Sequence, residues 1–350
     1  MKLRHFTELD GVRAVAALMV MFFHFFKGLE TQNAVLITIQ KYAIFGQTGV
    51  SLFFVLSGFL ITRILYNTKQ STSYFSKFYI RRSLRIFPLY FLFLIIYYFL
   101  MPVLENMPLV PFGQQIWYWV YLQNVAMTFN WSNIGPNHFW SLAVEEHFYL
   151  FWPLVIYFFD KSKIKLVIIL LIITAFITRV IMLKNSLGVF YFTFTRMDEL
   201  VVGALLAMWE VENKLIPEKA KMFKLLLGIT AIPTVILFVL FNGKEMVAVQ
   251  SIKFILLSVF YFSLIGLLIT LKENNWFKKI FQIKPLSYTG KISYGLYVYH
   301  PLCFYIVSTY LKIDSIILSF IVSFGFAYLI AALSYAFYES KFIALKKKFE

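Results

Sequence analysis

Charged residues are scarce in this sequence, and their scarcity excludes most soluble folds. Only 14% of the 350 residues are Asp, Glu, Lys or Arg, whereas a typical soluble domain is about 25% charged. Hydrophobic residues account for 60% of the chain and aromatic residues for 20%. This composition also excludes intrinsic disorder, which requires low hydrophobicity. The remaining class is a polytopic membrane protein.

Cysteine and the common cofactor motifs are also rare or missing. The single cysteine, Cys303, can form neither an internal disulfide nor a thiolate metal cluster. The sequence contains no phosphate-binding loop, dinucleotide-binding fingerprint or zinc-protease motif, which disfavours nucleotide hydrolysis and dinucleotide chemistry. We therefore expect no metal site and no permanently bound cofactor.

Long apolar runs, by contrast, are abundant. A helix needs about 20 apolar residues to cross the hydrocarbon core of a bilayer. Ten runs are candidates: 12–29, 43–66, 86–104, 138–159, 164–183, 193–211, 222–241, 251–271, 289–309 and 315–338. The predicted fold is all-α, with about ten transmembrane helices in one membrane domain that covers residues 1–350. Because no signal-peptidase site follows the first run, we interpret it as a retained span.

The net charge of +16 would suggest nucleic-acid binding in a soluble protein. Most of the 33 lysine and arginine residues, however, fall in segments that are cytoplasmic if the N-terminus is cytoplasmic. This asymmetry is the one that the positive-inside rule describes. We therefore predict a multi-pass protein of the cell membrane with both termini in the cytoplasm. Its expected surroundings are the lipid bilayer, and nucleic acid is not expected as a partner.

Two connections are longer than this topology requires. Segment 67–85 mixes aromatic residues with bases and is predicted to form an amphipathic helix at the cytoplasmic membrane surface. Segment 105–137 is rich in tryptophan, tyrosine and proline, and its apolar part, 116–127, is too short to span. We expect this extracytoplasmic segment to cover a cavity or to dip into the bilayer.

Ionisable residues inside predicted spans are costly, so each is a candidate for function. His24 follows Arg13 by eleven residues, which places both on one face of the first helix, about 16 Å apart along its axis. Glu145 lies at a similar predicted depth in the fourth span. A histidine beside a carboxylate is a general-base arrangement, because the carboxylate stabilises the imidazolium. The alternative is that Arg13 anchors the helix at the surface and His24 hydrogen-bonds a neighbouring helix.

Further basic and acidic residues lie near the predicted cytoplasmic surface. Arg81, Arg82 and Arg85 open the third span. Arg82 and Arg85 share one helical face and suit the capture of phosphates, although such clusters usually bind lipid headgroups. Asp10, before the first span, is either an acceptor at the helix N-terminus or a catalytic group.

A second polar cluster lies towards the opposite surface. Arg196, Asp198 and Glu199 open the sixth span, and Arg179 lies near the outer end of the fifth. These residues either pair with one another inside the bundle or bind a polar acceptor. His300 precedes a proline in the ninth span, where the proline frees a backbone carbonyl. It is therefore either a structural residue at a kink or a site residue.

Six strings occur in a fixed order along nearly the whole chain. They are LDGVRAVAALMVMFFH at 9–24, GVSLFFVLSGFLITR at 49–63, FYIRRSLRIFPLY at 78–90, WSLAVEEHFYLFWP at 140–153, FTRMDELVVGALLA at 194–207 and ISYGLYVYHPL at 292–302. Together they resemble the membrane-bound acyltransferase 3 family. One departure is His147, where the family often has glutamine. The resemblance is to the stand-alone form, so no SGNH hydrolase-like domain is expected.

The resemblance implies roles for particular residues. The family's essential arginine–ten residues–histidine motif maps onto Arg13 and His24. Its arginine pair, associated with the acyl donor, maps onto Arg82 and Arg85, and the glutamate of its S-x-x-x-E segment maps onto Glu145. The family transfers acyl groups, most often acetyl, from cytoplasmic acyl-CoA to hydroxyls of cell-envelope glycans or other acceptors.

The expected protein is thus an O-acetyltransferase-like enzyme, with acetyl-CoA as donor substrate and a glycan as acceptor. His24 would remove the hydroxyl proton while Glu145 orients its imidazole. Arg81 and Arg13 would help Arg82 and Arg85 to hold the donor's phosphates. An acyl-enzyme step through a serine or tyrosine is also open. The rival hypothesis is a transporter or flippase that uses His24 and Glu145 as a proton relay.

Overall fold

The computed structural model describes residues 4–241 and 247–349, and all regular secondary structure in these residues is helical. Ten principal helices each overlap one predicted span: α1 Thr7–Lys27, α2 Gly49–Thr68, α3 Tyr74–Ile95, α4 Trp140–Phe158, α5 Lys161–Lys184, α6 Thr193–Val211, α7 Ala220–Phe241, α8 Val247–Thr270, α9 Ser293–Ile306 and α10 Ile316–Ser334. The shorter α-helices are Ala34–Ala43, Met101–Leu104, Phe112–Trp119, Gln123–Thr128, Trp276–Gln282, Lys284–Lys291 and Ser340–Leu345.

Seven helical segments of the described chain are long and apolar enough to cross a membrane. They contain α1, α2, α3, α5, α7, α8 and α10. The other three principal helices lie where spans are predicted but are less apolar or shorter. Helices α4 and α6 carry several charged residues, and α9 has 14 residues before a π-helical turn. The prediction of an all-helical membrane fold is confirmed.

Segment 67–85 differs from the prediction of a separate surface helix. A short turn follows α2, and Tyr74 then begins α3, which continues without a break to Ile95. Tyr74 is buried, and its hydroxyl donates a hydrogen bond to the Pro153 carbonyl at 3.0 Å. No glycine separates the basic stretch from the apolar run that follows it, so both join one helix. The arginines at 81, 82 and 85 therefore lie on the first turns of a long helix.

Segment 105–137 contains the helices Phe112–Trp119 and Gln123–Thr128, and neither helix is long enough to span a bilayer. It packs on α3 through Tyr90. The rings of Tyr90 and Tyr121 stack with centroids 4.2 Å apart, and the Tyr90 hydroxyl donates to the Tyr118 carbonyl at 2.7 Å. Some aromatic residues of this segment therefore pack against the helices of the bundle.

Helices α2 and α6 approach so closely that two positions require glycine. A Cβ atom on Gly58 would overlap the backbone of Leu200, and one on Gly203 would overlap the backbone of Val55. Small residues allow this approach between membrane helices. The crossing fixes α2 beside α6 and brings Arg63, near the end of α2, into an ion pair with a carboxylate of α6.

Charged contacts join the helix ends at one end of the bundle, which we call the terminal face. Arg63 pairs with Glu210 and donates to the Arg4 carbonyl, and the Arg4 side chain pairs with Glu273 at 2.8 Å. Glu212, which follows α6, pairs with two lysines at 2.6 Å, one of them in the first turn of α5. Their hydrogen bonds hold the pKa of the Glu212 carboxyl below its ordinary value. These contacts place the start of α5 beside the end of α6.

Lys278 is the most buried cation of the terminal face, and its replacement by methionine is expected to destabilise the protein. Its Nζ lies 3.1 Å from Glu8, which is also buried, and 3.0 Å from Glu273. Removing one partner of a buried ion pair leaves the other uncompensated, at a cost of about 3–5 kcal/mol. Thermal unfolding in detergent should show a lowered midpoint for Lys278→Met. The exposed neighbour Lys279→Met is the control, and equal midpoints would contradict this assignment.

Candidate functional site

Two cavities lie in the interior of the bundle. One, which we call the arginine cavity, has a volume of about 180 Å³ and is lined by Arg13, Arg82, Arg85 and Glu145 among apolar side chains of α2. The other, which we call the histidine cavity, has a volume of about 600 Å³ and is lined in part by His24. Residues from the sequence motifs of α1, α3 and α4 therefore line cavities inside the bundle.

The part of the lining that both cavities share, which we call the wall, consists of two side chains. Val50 and Tyr297 line both cavities. The Tyr297 hydroxyl donates to the His138 carbonyl at 2.6 Å and lies 2.6 Å from the Ser141 hydroxyl, which fixes the tyrosine across the bundle. The sequence analysis did not identify either wall residue, because neither type stands out in an apolar chain with 22 tyrosines.

The arginine cavity holds three guanidinium groups in different environments. Arg13 pairs with Asp10 at 2.7 Å, one helical turn away. Arg82 lies 3.9 Å above the ring of Tyr149 and 4.0 Å from Glu145. No carboxylate of the described chain lies within ion-pair distance of Arg85, so its donors are available to a ligand. The cavity therefore offers positive charge that the surrounding carboxylates do not fully neutralise.

Glu145 does not orient His24, and this expectation is wrong. The carboxylate of Glu145 faces Arg82 and the hydroxyls of Ser57 and Tyr149 in the arginine cavity. His24 lines the other cavity and bonds a second histidine instead. The two residues lie in different cavities because the predicted depth along each helix does not specify the direction in which a side chain points.

The partner of His24 is His300 on α9. The Nδ1 atom of His24 lies 2.7 Å from Nε2 of His300, and the two rings stack with centroids 5.0 Å apart. On the other side, Nδ1 of His300 lies 2.9 Å from the Leu296 carbonyl. This contact reaches back one helical turn, to a residue four positions earlier on the same helix. His300 thus bonds a backbone carbonyl of its own helix and also contacts His24.

The contacts of His300 with His24 and with the Leu296 carbonyl determine which nitrogen of each imidazole ring carries a proton. A carbonyl only accepts, so the Nδ1 atom of His300 carries a proton. In the neutral ring Nε2 is then the acceptor, and Nδ1 of His24 donates to it. The remaining nitrogen of His24, Nε2, therefore keeps a lone pair. This is the tautomer that a general base requires.

His138 is a third histidine of this group that the sequence analysis did not single out. Its Nε2 donates to the Val298 carbonyl at 3.1 Å, and its ring centroid lies 5.5 Å from that of His300. It lines the histidine cavity together with Asn137, one residue before it. The only sequence signal was its position at the start of the fourth predicted span.

The remaining predicted residues lie outside the two cavities. Arg179 pairs with Asp198 at 2.8 Å, and Arg196 pairs with Glu199 at 2.8 Å. All four are buried and line neither cavity, which fits the pairing alternative. Arg81 also lies outside the lining of the arginine cavity, although it is on the same helix turn as the arginines that line it.

Comparison with known proteins identifies the family of this chain. A family model described as an acyltransferase domain, Acyl_transf_3, matches residues 6–337. The chain belongs to this acyltransferase family. The resemblance in the sequence motifs and the predicted acyltransferase class are confirmed. With its apolar helices, this member is a multi-pass protein of the cell membrane.

Several curated relatives are similar to this acyltransferase. Peptidoglycan O-acetyltransferase OatA of Listeria monocytogenes is 27% identical, over 96% of this chain and 56% of the relative. O-acetyltransferase OatA of Staphylococcus aureus is 29% identical, over 96% and 57% respectively. The chain thus spans a little over half the length of these relatives. No solved structure matches it.

Proposed function

We propose that this acyltransferase moves an acetyl group from acetyl-CoA to a hydroxyl of a cell-envelope glycan. The observation that carries the proposal is the pair of cavities that meet at Val50 and Tyr297, one lined by arginines and the other holding a histidine with a free ring nitrogen. The names of the relatives support the reaction, since they are O-acetyltransferases and one is named for peptidoglycan.

The arginine cavity is the proposed site for the donor. Coenzyme A carries phosphates, and arginine binds phosphate oxygens in a bidentate manner. Arg85 has unoccupied donors and Arg82 lies on the same helical face, so the two can share one anionic group. Arg13 and His24 lie on one face of α1, about 16 Å apart along its axis, which is a distance that the pantetheine arm of CoA can bridge.

The histidine cavity is the proposed site for the acceptor. A glycan hydroxyl would give its proton to Nε2 of His24 as its oxygen attacks the thioester carbonyl. The C–S bond then breaks, the acetyl group remains on the glycan oxygen, and the CoA sulfur takes the proton from His24. His300 stabilises the charged imidazole by accepting a hydrogen bond from its Nδ1–H group. Glu145 would act on the donor side, next to Arg82.

The proposal also covers which helices cross the bilayer and which end of the bundle faces the cytoplasm. We infer that α4, α6 and α9 also cross the bilayer, because their charged or polar groups are largely turned inward: Asp198, Glu199 and His300 are all buried. That makes ten spans, with the terminal face and the arginine cavity on the cytoplasmic side, as the positive-inside rule favours. The donor and the acceptor would then arrive from opposite sides of the membrane.

Reconstitution in proteoliposomes tests this function. The purified full chain should release CoA from acetyl-CoA supplied on one side and place radiolabelled acetyl on peptidoglycan fragments supplied on the other. Protein-free liposomes are the control for leakage. Appearance of unmodified glycan or free acetyl across the membrane, without CoA release, would instead support a transporter or flippase and overturn the proposal.

A further inference from the structure

A buried lysine in the lining of the histidine cavity has no acceptor of its own. Lys253 on α8 is only 5% exposed and lines this cavity. Within the described chain, no carboxylate lies within ion-pair distance of its Nζ and no oxygen accepts a hydrogen bond from it. The rings of Phe238 and Phe254 lie beside it, with centroids 5.2 and 5.6 Å from Nζ. These rings attract a cation but do not replace an anion.

The nearby carboxylates are already ion-paired with arginines. Glu199 faces the same region as Lys253, but its Oε2 accepts a hydrogen bond from Nε of Arg196 at 3.0 Å and lies 2.8 Å from Nη2 of the same arginine. Asp198 is held by Arg179. A buried cation without a partner is costly inside a membrane protein and usually marks a binding site or an ion path.

The ionisable side chains that line the cavity are lysines and histidines, apart from the hydroxyls of two tyrosines. They include Lys27, His24 and His138 in addition to Lys253, and none of the residues that line the cavity is Asp or Glu. Lys27 is exposed at the end of α1, where its Nζ lies 5.5 Å from the centroid of the Phe23 ring. The cavity thus has one cation at its rim and one in its interior.

Aromatic side chains line the same cavity. The Trp140 ring is 4.9 Å from that of Phe190 and 5.5 Å from that of Tyr191, between centroids, and all three residues line the cavity. Aromatic rings provide large rigid contact surfaces, which suit the apolar face of a sugar ring. The amide of Asn137 lines the same cavity and can bond sugar hydroxyls.

From these observations we infer that Lys253, with Lys27 at the rim, forms a subsite for an anionic group of the acceptor glycan. The group is a carboxylate or a phosphate, because either one accepts charge-assisted hydrogen bonds from an ammonium. The subsite would hold the anion while the hydroxyl to be acetylated reaches His24. The inference rests on the proposed function in that it takes the histidine cavity as the acceptor site.

Calorimetric binding to the full-length protein in nanodiscs tests the subsite without catalysis. Three probes of equal sugar length are needed: a peptidoglycan fragment with free carboxylates, the same fragment with those carboxylates amidated, and a neutral fragment that carries one phosphate. Lys253→Met should weaken the binding of at least one anionic probe about tenfold or more, the usual contribution of a hydrogen bond to a charged group. Binding of the amidated fragment should be unchanged. The anionic probe whose binding weakens shows whether the subsite binds a carboxylate or a phosphate.

Two variants sharpen this test. Lys253→Arg keeps the charge and should retain most of the preference for the anionic probe. Lys41→Met removes an exposed lysine outside the cavity and should have no effect. Equal loss of binding for all three probes in Lys253→Met would assign the lysine a structural role and overturn the inference. So would wild-type binding that does not distinguish the anionic probes from the amidated one.

Transfer assays separate this inference from the proposed function. If the wild-type protein binds anionic fragments through Lys253 but acetylates none of them, the acetyl-transfer proposal fails and the subsite stands. If it acetylates charged and amidated fragments with equal kcat/KM, and Lys253→Met does so too, the subsite fails and the acetyl-transfer proposal stands.

Discussion

Alanine in place of His24 is expected to slow acetyl transfer by about 10²–10⁴-fold, the usual contribution of a general base. The loss should fall on kcat, because the arginine cavity that would hold acetyl-CoA does not include His24. Initial rates of radiolabelled acetyl transfer, with KM measured for acetyl-CoA, check this result. His5→Ala is the comparison variant, since His5 is exposed at the terminal face, where its Nε2 lies 3.1 Å from Asp10. Equal rates for His24→Ala and the wild type would remove His24 from the mechanism.

The same assay tests His300 as a positioning residue. His300→Phe keeps an aromatic ring at this position. It removes the nitrogen that accepts the hydrogen bond from the Nδ1–H group of His24. We expect kcat to fall about tenfold or more, which corresponds to the loss of one hydrogen bond to a charged group, with KM for acetyl-CoA unchanged. Combined with His24→Ala, the His300 change should add no further loss, because residues that act through one another are not additive. Additive losses would assign His300 an independent structural role.

Removal of Arg85 and Arg82 is expected to raise KM for acetyl-CoA by about 10²-fold, since each hydrogen bond to a charged phosphate contributes roughly tenfold or more. Arg85→Ala alone is the cleaner variant, because no described carboxylate loses a partner, whereas Arg82→Ala also removes the neighbour of Glu145. We expect about a tenfold rise for the single change.

Lys161→Ala is the control for this pair, because it removes an exposed cation outside the cavity. Acceptor binding should stay constant in all three variants. An unchanged KM for acetyl-CoA, together with a stability that depends more strongly on anionic lipid in the wild type than in the arginine variants, would instead support headgroup binding.

The helices and the site differ in how far the sequence determines them. Each predicted span overlaps a helix, because apolar length is a local property of the chain. The extent of α3 was mispredicted because aromatic and basic residues occupy its first turns, where they read as a surface segment. Hydropathy also does not single out α4, α6 and α9, since the polar groups that they turn inward lower their mean hydropathy.

Contacts between distant residues were less predictable. The motif spacing placed Arg13 and His24 on one helix. Arg13 lines the arginine cavity and His24 lines the histidine cavity. The partner of His24, however, lies 276 residues further along the chain. Equal depth in two helices suggested Glu145, but the packing of α9 against α1 decides which side chain faces His24. Lys253 gave no signal, because a single lysine in an apolar run is indistinguishable from a surface anchor.

The two-residue wall at Val50 and Tyr297 has a consequence for the cell's energy supply. The arginine cavity lies towards the terminal face, and the histidine cavity is lined in part by the loop 186–191 at the other end of α5 and α6. A continuous polar passage between them would conduct protons and ions down the membrane gradient. Under the proposed function, Val50 and the hydrogen-bonded Tyr297, which lie where the two cavities meet, are the side chains that would keep the membrane sealed between the two compartments.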